Sequence, residues 1–248
     1  MKRERLLKAI EVRHSCRTYS RTPLDESAVA AIKEIIQENN EISGFDFELI
    51  EDGSKAFSSF FRTYGSFKNV RAVILIKGKK DIPKMLEQAG YFGEDIVLSL
   101  TDLKLGTCWV GGTYDPKKFI IPEDEKLVAV ITVGIPMDAD FFKKPVTRKR
   151  KSYEKRYSSD TDEVPQWLKD GAIAVQKAPS ALNSQKAVFV YDSVSGHVEG
   201  TACGRSKFDD VDLGIAERHF AIGADRNITT AYFAGILRDC TEKKPENS

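Results

Sequence analysis

Several features that would announce a function are missing from this 248-residue chain. No stretch approaches the roughly 20 apolar residues that a spanning helix needs, so no membrane partner is expected. Lys and Arg number 38 against 37 Asp and Glu, a net charge of +1, which leaves no field of one sign to hold nucleic acid or an anionic surface. Basic residues are not interleaved with aromatics, so no nucleic-acid partner is expected either. The four cysteines, Cys16, Cys108, Cys203 and Cys240, show no C-x-x-C spacing, which argues against zinc or a redox pair, and no metal is expected. Spread so widely they read as reduced thiols of a cytoplasmic protein. The basic start, Met1 to Lys8, is not followed by an apolar core of signal-peptide length. No Gly-x-Gly-x-x-Gly, P-loop, Gly-x-Ser-x-Gly or His-Glu-x-x-His occurs, which lowers the case for a Rossmann dehydrogenase, kinase, hydrolase or zincin.

What is present is 41% hydrophobic residues, enough for a normal core in one large domain or two small ones. Leu6, Leu7 and Ile10 recur at helical spacing within Lys2 to Ile10. A turn over residues 22–27, with Pro23 and two acids, opens a second helix whose face is Val29, Ile32, Ile35 and Ile36. Phe45 to Ile50 alternates as a half-buried strand, and Val70 to Ile76 is a near-continuous apolar run suited to a central one. Glu87 to Leu105 is the longest predicted helix, with Gly106 expected at its C-terminal cap. Leu127 to Val133 reads as another buried strand. From Lys143 to Asp162 the chain turns polar and reads as a connection, dividing the chain into halves 1–160 and 161–248.

The second half restarts the pattern. Pro23 and Phe47 stand 24 positions apart, as do Pro165 and Phe189, each pair enclosing a helix and then a strand. Trp167 to Lys177, Ala187 to Tyr191 and Asp209 to Ala224 supply that helix, the strand and a second long helix, and the tail from Cys240 is expected to fray.

Two segments gather polar chemistry. Arg13-His14-Ser15-Cys16-Arg17 offers two guanidiniums, a hydroxyl and an imidazole, and in an extended chain Arg13, Ser15 and Arg17 share one side. Arginine binds phosphate by planar, two-pronged hydrogen bonds. On spacing alone a basic-polar turn between two helices is the better explanation of the segment. Pro179-Ser180-Ala181-Leu182-Asn183-Ser184-Gln185 has the composition of a turn. Arg148-Lys149-Arg150 reads either as a solvated charge run or as a phosphate contact. His219 reads as a helix-surface or packing residue.

Together the two segments resemble signatures of the FMN-dependent nitroreductase family. There they lie on either side of the first long helix, and each site of a homodimer takes one from each subunit. Here they sit in different halves, as in the single-chain subset of that family. The resemblance implies an α+β, three-layer fold with mixed, mainly antiparallel sheets flanked by helices, the two related halves forming an intrachain pseudo-dimer. It further implies that Arg13 and Ser15 hold phosphate or ribityl oxygens, that His14 contributes its backbone, and that Arg17 faces the N1–O2 edge of the flavin. Arg148 and Arg150 match a basic-x-basic pair completing the phosphate cage. The Leu105-Gly106 segment leads to Gly111 and Gly112, which match the position where a backbone N–H approaches flavin N5 and O4. Pro179, Ser180, Ala181 and Asn183 would cover the flavin from the other half, although Lys186-Ala187-Val188-Phe189 stands where the family has Pro-Trp-x-Phe.

The expected activity is hydride transfer from NADH or NADPH through FMN to a small electron acceptor, a nitroaromatic, quinone or similar molecule. The flavin carries the chemistry, so no catalytic side chain is expected. The chain is expected to act as a monomer or weak homodimer with one complete site. Flavin binding without turnover (storage or sensing) and a degenerate interaction module stay open as alternatives. The segment from Ala56 to Asn69, rich in Phe and Tyr, is read as packed core in preference to a lid over the site.

Overall fold

Among the described residues (2–59, 66–144, 146, 148–202, 204, 206 and 208–226) this computed structural model holds five α-helices and seven strands. Helices α1 (Lys2–Val12) and α2 (Glu26–Ser43) precede β1 (Glu48–Ile50) and β2 (Ala72–Lys79). Then come α3 (Met85–Asp102), β3 (Gly106–Val110), β4 (Glu125–Gly134) and β5 (Tyr157–Ser159). The rest is α4 (Gln166–Val175), β6 (Ala187–Asp192), β7 (His197–Ala202) and α5 (Asp209–Ala224). No described helix is long and apolar enough to cross a membrane.

The larger sheet has the order β1-β2-β4-β3 and is antiparallel throughout. Every residue of β2 from Ala72 to Gly78 is buried, because both faces of this strand are covered; hence the continuous apolar run in place of an alternation. Ile32 and Ile36 of α2, with Ile96 and Leu100 of α3, pack on one face against Phe47, Ile74, Ile76 and Ile131. The other face meets irregular segments carrying Tyr19, Phe57 and Tyr114. Helix α2 starts where the Asp25 carboxylate accepts the Ala28 N–H at 2.7 Å, and it stops at Gly44, whose φ of 73° suits glycine.

Gly106 is not the cap of the long helix. Helix α3 ends at Asp102, Lys104 makes the left-handed turn with φ 63°, and Gly106 opens β3. A side chain there would run into Cys16 and Pro136, so its smallness serves strand packing. In the aromatic segment, Ala56, Phe57 and Phe67 join the core, while Phe60, Phe61 and Tyr64 lie outside the described residues, as do Cys203, Cys240 and the tail. Cys16 and Cys108 are buried free thiols.

The smaller sheet has the order β5-β6-β7, with β5 parallel and β7 antiparallel to β6. Strand β5 lies inside the polar stretch read as a connection. Helices α4 and α5 cover this sheet through Leu168, Leu213 and Phe220, the last stacked on Phe189 at 4.2 Å between ring centres.

The two hairpins share one register. Ile50 pairs with Val73 and Leu49 with Ile74; Asp192 pairs with His197 and Tyr191 with Val198. Asp192 lies 142 positions after Ile50, and His197 lies 124 after Val73, so only the residues between the matched pairs differ, 51–72 in one and 193–196 in the other. The shift of 142 is also the one that separates Pro23 from Pro165 and Phe47 from Phe189.

The shift of 124 carries into the long helices, which cross with their backbones touching at Gly90 and Gly214. A side chain at Gly90 would collide with Val211 and Ile215, and one at Gly214 with Glu87 and Tyr91. Adding 124 turns Glu87 into Val211 and Tyr91 into Ile215, so the contact is reciprocal in the manner of an isologous interface. Leu6 and Ile10 of α1 close this seam against Leu98, Ala174 and Ile222.

Candidate functional site

Helix α1 ends at Val12, and the chain then runs extended beside β3. Ser15 bridges Thr107, and the Cys16 N–H donates to the Thr107 carbonyl at 2.8 Å. Arg13, His14, Ser15 and Arg17 line a cleft of ≈ 440 Å³, together with Lys144, Val146, Arg148 and Arg150. Six candidates from two distant segments are therefore gathered at one place. Lys144 and Val146 were not anticipated; the only sequence signal was the basic run Lys143-Lys144 just before Pro145.

None of the described residues lining the cleft is acidic. Arg13 is 4% exposed, and its Nε has no hydrogen-bond partner, the closest carboxylate being Glu94 at 3.8 Å. Burial lowers the Arg13 pKa, Glu94 opposes this, and the Arg148 charge adds to the lowering. Arg150 is pushed down to about 10 by burial and by the charges of Arg13 and Arg148. One of its nitrogens donates to the Gln176 carbonyl at 2.6 Å. Lys144 is paired with Asp138, so the charge facing the cleft comes chiefly from the guanidiniums of Arg13, Arg17, Arg148 and Arg150. The His14 ring stacks on Phe141 at 3.7 Å, with Nδ1 3.0 Å from the Val12 carbonyl. Burial holds the thiols of Cys16 (about 11) and Cys108 above their ordinary value, so neither offers a thiolate nucleophile at neutral pH.

The segment from Pro179 to Gln185 backs the cleft without lining it. Ser180 Oγ accepts the Gln185 N–H at 2.9 Å, and the Asp212 carboxylate accepts the Ala181 N–H at 2.9 and 3.0 Å. Leu182, Asn183 and Gln185 all have φ between 50° and 58°. That conformation is ordinary for Asn and strained for the other two, so the turn is held by its bonds. From this turn the Asn183 and Gln185 amides donate to the Lys149 carbonyl at 2.9 and 3.1 Å, and Gln185 Oε1 accepts the Lys151 N–H at 2.9 Å. The second half thereby clamps the backbone that presents Arg148 and Arg150.

Gly111 and Gly112 do not line the cleft either. The space a Gly111 side chain would fill is taken by the Phe208 ring, and a Cβ added at Gly112 would meet nothing within 4 Å. Sequence reading also missed Glu94, Trp109 and His219, which are joined by hydrogen bonds behind Arg13. A lone acid and a lone histidine on helices carry no spacing signal.

A cluster of four guanidiniums, with no acid among the described residues that line the cleft, fits a doubly charged anion such as a phosphate monoester. FMN carries such a group, and the residues present fit it.

A family model described as "Putative TM nitroreductase" matches residues 5–224. Among solved structures, a "putative nitroreductase" from Thermotoga maritima MSB8 is 25% identical, covers 88% of this chain and 82% of that one, and has a TM-score of 0.60. An FMN-dependent nitroreductase from Clostridium difficile R20291 is 20% identical, over 60% of this chain and 96% of its own, at a TM-score of 0.48. A nitroreductase with bound FMN from Desulfitobacterium hafniense DCB-2 is 17% identical, over 58% and 94%, at 0.46. These last two likenesses are too distant to bear on function. No curated protein matches the chain.

Proposed function

The chain belongs to the nitroreductase family, and on that premise we propose that it is an FMN-dependent oxidoreductase whose flavin phosphate lies among Arg13, Arg148 and Arg150. The observation that carries this reading is the cleft itself: four guanidiniums with no acid among the described residues that line it. Like charges drawn together from residues 13–17 and 148–150 repel one another until an anion joins them.

Within this reading Ser15 adds a neutral donor for a phosphate or ribityl oxygen. Arg17, the exposed member, would lie toward the pyrimidine edge of the flavin. Its charge there would meet negative charge that appears only on reduction, which would favour the reduced state. FMN held there would supply the redox chemistry for hydride transfer between NADH or NADPH and a nitroaromatic, quinone or similar acceptor. The turn from Pro179 to Gln185 orients the Arg148–Arg150 segment from the second half.

Each half supplies what the other lacks, so one chain holds one site and works as a monomer imitating a dimer. The shared hairpin register and the reciprocal crossing of α3 and α5 support that arrangement.

The test is the visible spectrum of the purified protein with its flavin stoichiometry, before and after anaerobic NADH and NADPH. About one FMN per chain that bleaches with either nucleotide is the expected result. Bound flavin that never bleaches would mean storage or sensing in place of catalysis. A chain that takes up no FMN would remove the flavin reading.

A further inference from the structure

One carboxylate stands behind the cleft with no access to water. Glu94 of α3 is fully buried, and its Oε2 accepts the Trp109 indole N–H at 2.7 Å. Its Oε1 lies 2.9 Å from His219 Nε2 and 3.8 Å from Arg13 Nε. His219 of α5 is equally buried, and its Nδ1 lies 3.1 Å from the Ala174 carbonyl.

These partners dictate the protons. A carbonyl only accepts, so Nδ1 of His219 carries a hydrogen. A neutral imidazole would then turn its Nε2 lone pair toward an ionised carboxylate, at a site where no water relieves the repulsion. The 2.9 Å contact therefore holds one proton between His219 and Glu94. Burial pushes the His219 pKa down, and Glu94 pulls against it.

The neighbouring pair on the same two helices supplies a built-in comparison. Arg218 donates to Asp95 at 2.8 and 2.5 Å and lies over the Tyr91 ring, 5.4 Å from its centre. Under the shift of 124, Glu94 corresponds to Arg218 and Asp95 to His219, so two acids on α3 meet two bases on α5 crosswise. Of the two acids, Glu94 is the one that reaches Arg13. Through Trp109 it also ties down β3.

We propose that His219 is a positioning residue for the flavin site: through Glu94 it holds the Arg13 guanidinium aimed at the cofactor phosphate. The proposal rests on the flavin reading. By this route the second half contributes to the phosphate grip through a residue that never touches the ligand. The orienting contact is indirect, as in other sites where a fixed outer residue sets the aim of an inner one.

The experiment is FMN titration, followed by flavin fluorescence, of the full chain and three variants, with thermal melts of each apo protein. His219→Gln keeps the bulk but cannot donate at both ends, and it is expected to weaken FMN about tenfold. In an Arg13→Lys background, where the guanidinium facing Glu94 is gone, the same change is expected to cost less than about twofold. Arg218→Gln breaks the neighbouring pair; its melting temperature is expected to fall while FMN affinity stays within about twofold. Equal loss of FMN affinity in Arg218→Gln and His219→Gln would overturn the proposal, since general loosening of the seam would then suffice. So would an undiminished His219→Gln effect in the Arg13→Lys background. A parent chain that binds no FMN would defeat the flavin reading. The coupling would then be read in the apo protein from the ¹⁵N shifts of the His219 ring, which Arg13→Lys moves if the groups are linked and leaves in place if they are not.

Discussion

The hairpin β1–β2 with its helix α3 and the hairpin β6–β7 with its helix α5 keep one strand register and one helix crossing, yet they treat charge in opposite ways. On α3, Gly93 leaves room for the Trp109 ring, which a side chain there would strike. The corresponding position on α5, 124 further on, is Glu217, 4% exposed and lying under Gly200. Its Oε2 has no hydrogen-bond partner, and burial, with Glu87 adding to it, pushes the carboxyl up to about 8. Beside the first unit four guanidiniums converge on open space. In the second, Asp209 pairs with Lys186, and Asp212 caps the turn at Ala181. Two units that share a strand register and a helix crossing need not share their electrostatics. The first has charges that face open space, whereas in the second Asp209 and Asp212 are bonded internally and Glu217 stays buried with one oxygen unpartnered.

The largest expected effect comes from removing the outward-facing charges. Arg13→Ala, or Arg148→Ala and Arg150→Ala together, should weaken FMN by at least about 100-fold, because charge-assisted phosphate contacts are lost. Equilibrium dialysis reads this directly, and unchanged affinity would end the phosphate assignment. Arg13→Ala also uncovers Glu94, so the double variant separates lost contacts from lost stability.

An intermediate effect is expected at Glu217, and it should appear in stability alone. Its folded pKa of about 8 lies above the ordinary carboxylate value of 4.5, so the folded state binds the extra proton. Stability should fall as pH rises from about 5 to 8 and level off beyond, since the unfolded chain releases that proton first. Chemical denaturation across that range checks the slope, and Glu217→Gln should flatten it without changing FMN affinity. A slope unaltered in the variant would place the titrating group elsewhere.

The smallest effect should come from Asp212→Asn. The carboxylate accepts from Ala181 and Ser184, and burial pushes it up to about 6. Replacing it loosens the turn that orients Arg148 and Arg150, and FMN affinity should drop about threefold. The loss should persist at pH 7, where the native carboxylate is mostly ionised and bonded. No change in affinity would show that the turn is held by Ser180 and the Lys149 contacts alone.

Much of this molecule can be read from its residues. Most of the near-continuous apolar run from Val70 to Ile76 is a strand, Ala72–Lys79, covered on both faces, and the 3.6-residue spacing of Ile32, Ile35 and Ile36 is a helix on that sheet. Arg13, Ser15 and Arg17 on one side, with Arg148 and Arg150 far along the chain, already describe the cleft. Gly106 was misplaced because a glycine after a helix usually caps it, and only the nearness of Cys16 and Pro136 shows its other purpose.

Sequence alone determined the long helices, the buried strands of the larger sheet and the family, since these follow from periodicity and short motifs, while β5 and β7 carried no such signal. The tertiary structure decided what stands behind the site. Glu94, Trp109 and His219 are separated by up to 125 positions and meet because α3 and α5 cross at two glycines. Such a contact is set by how closely two backbones approach, and that distance depends on the residues of both helices at once. No window along the chain contains it.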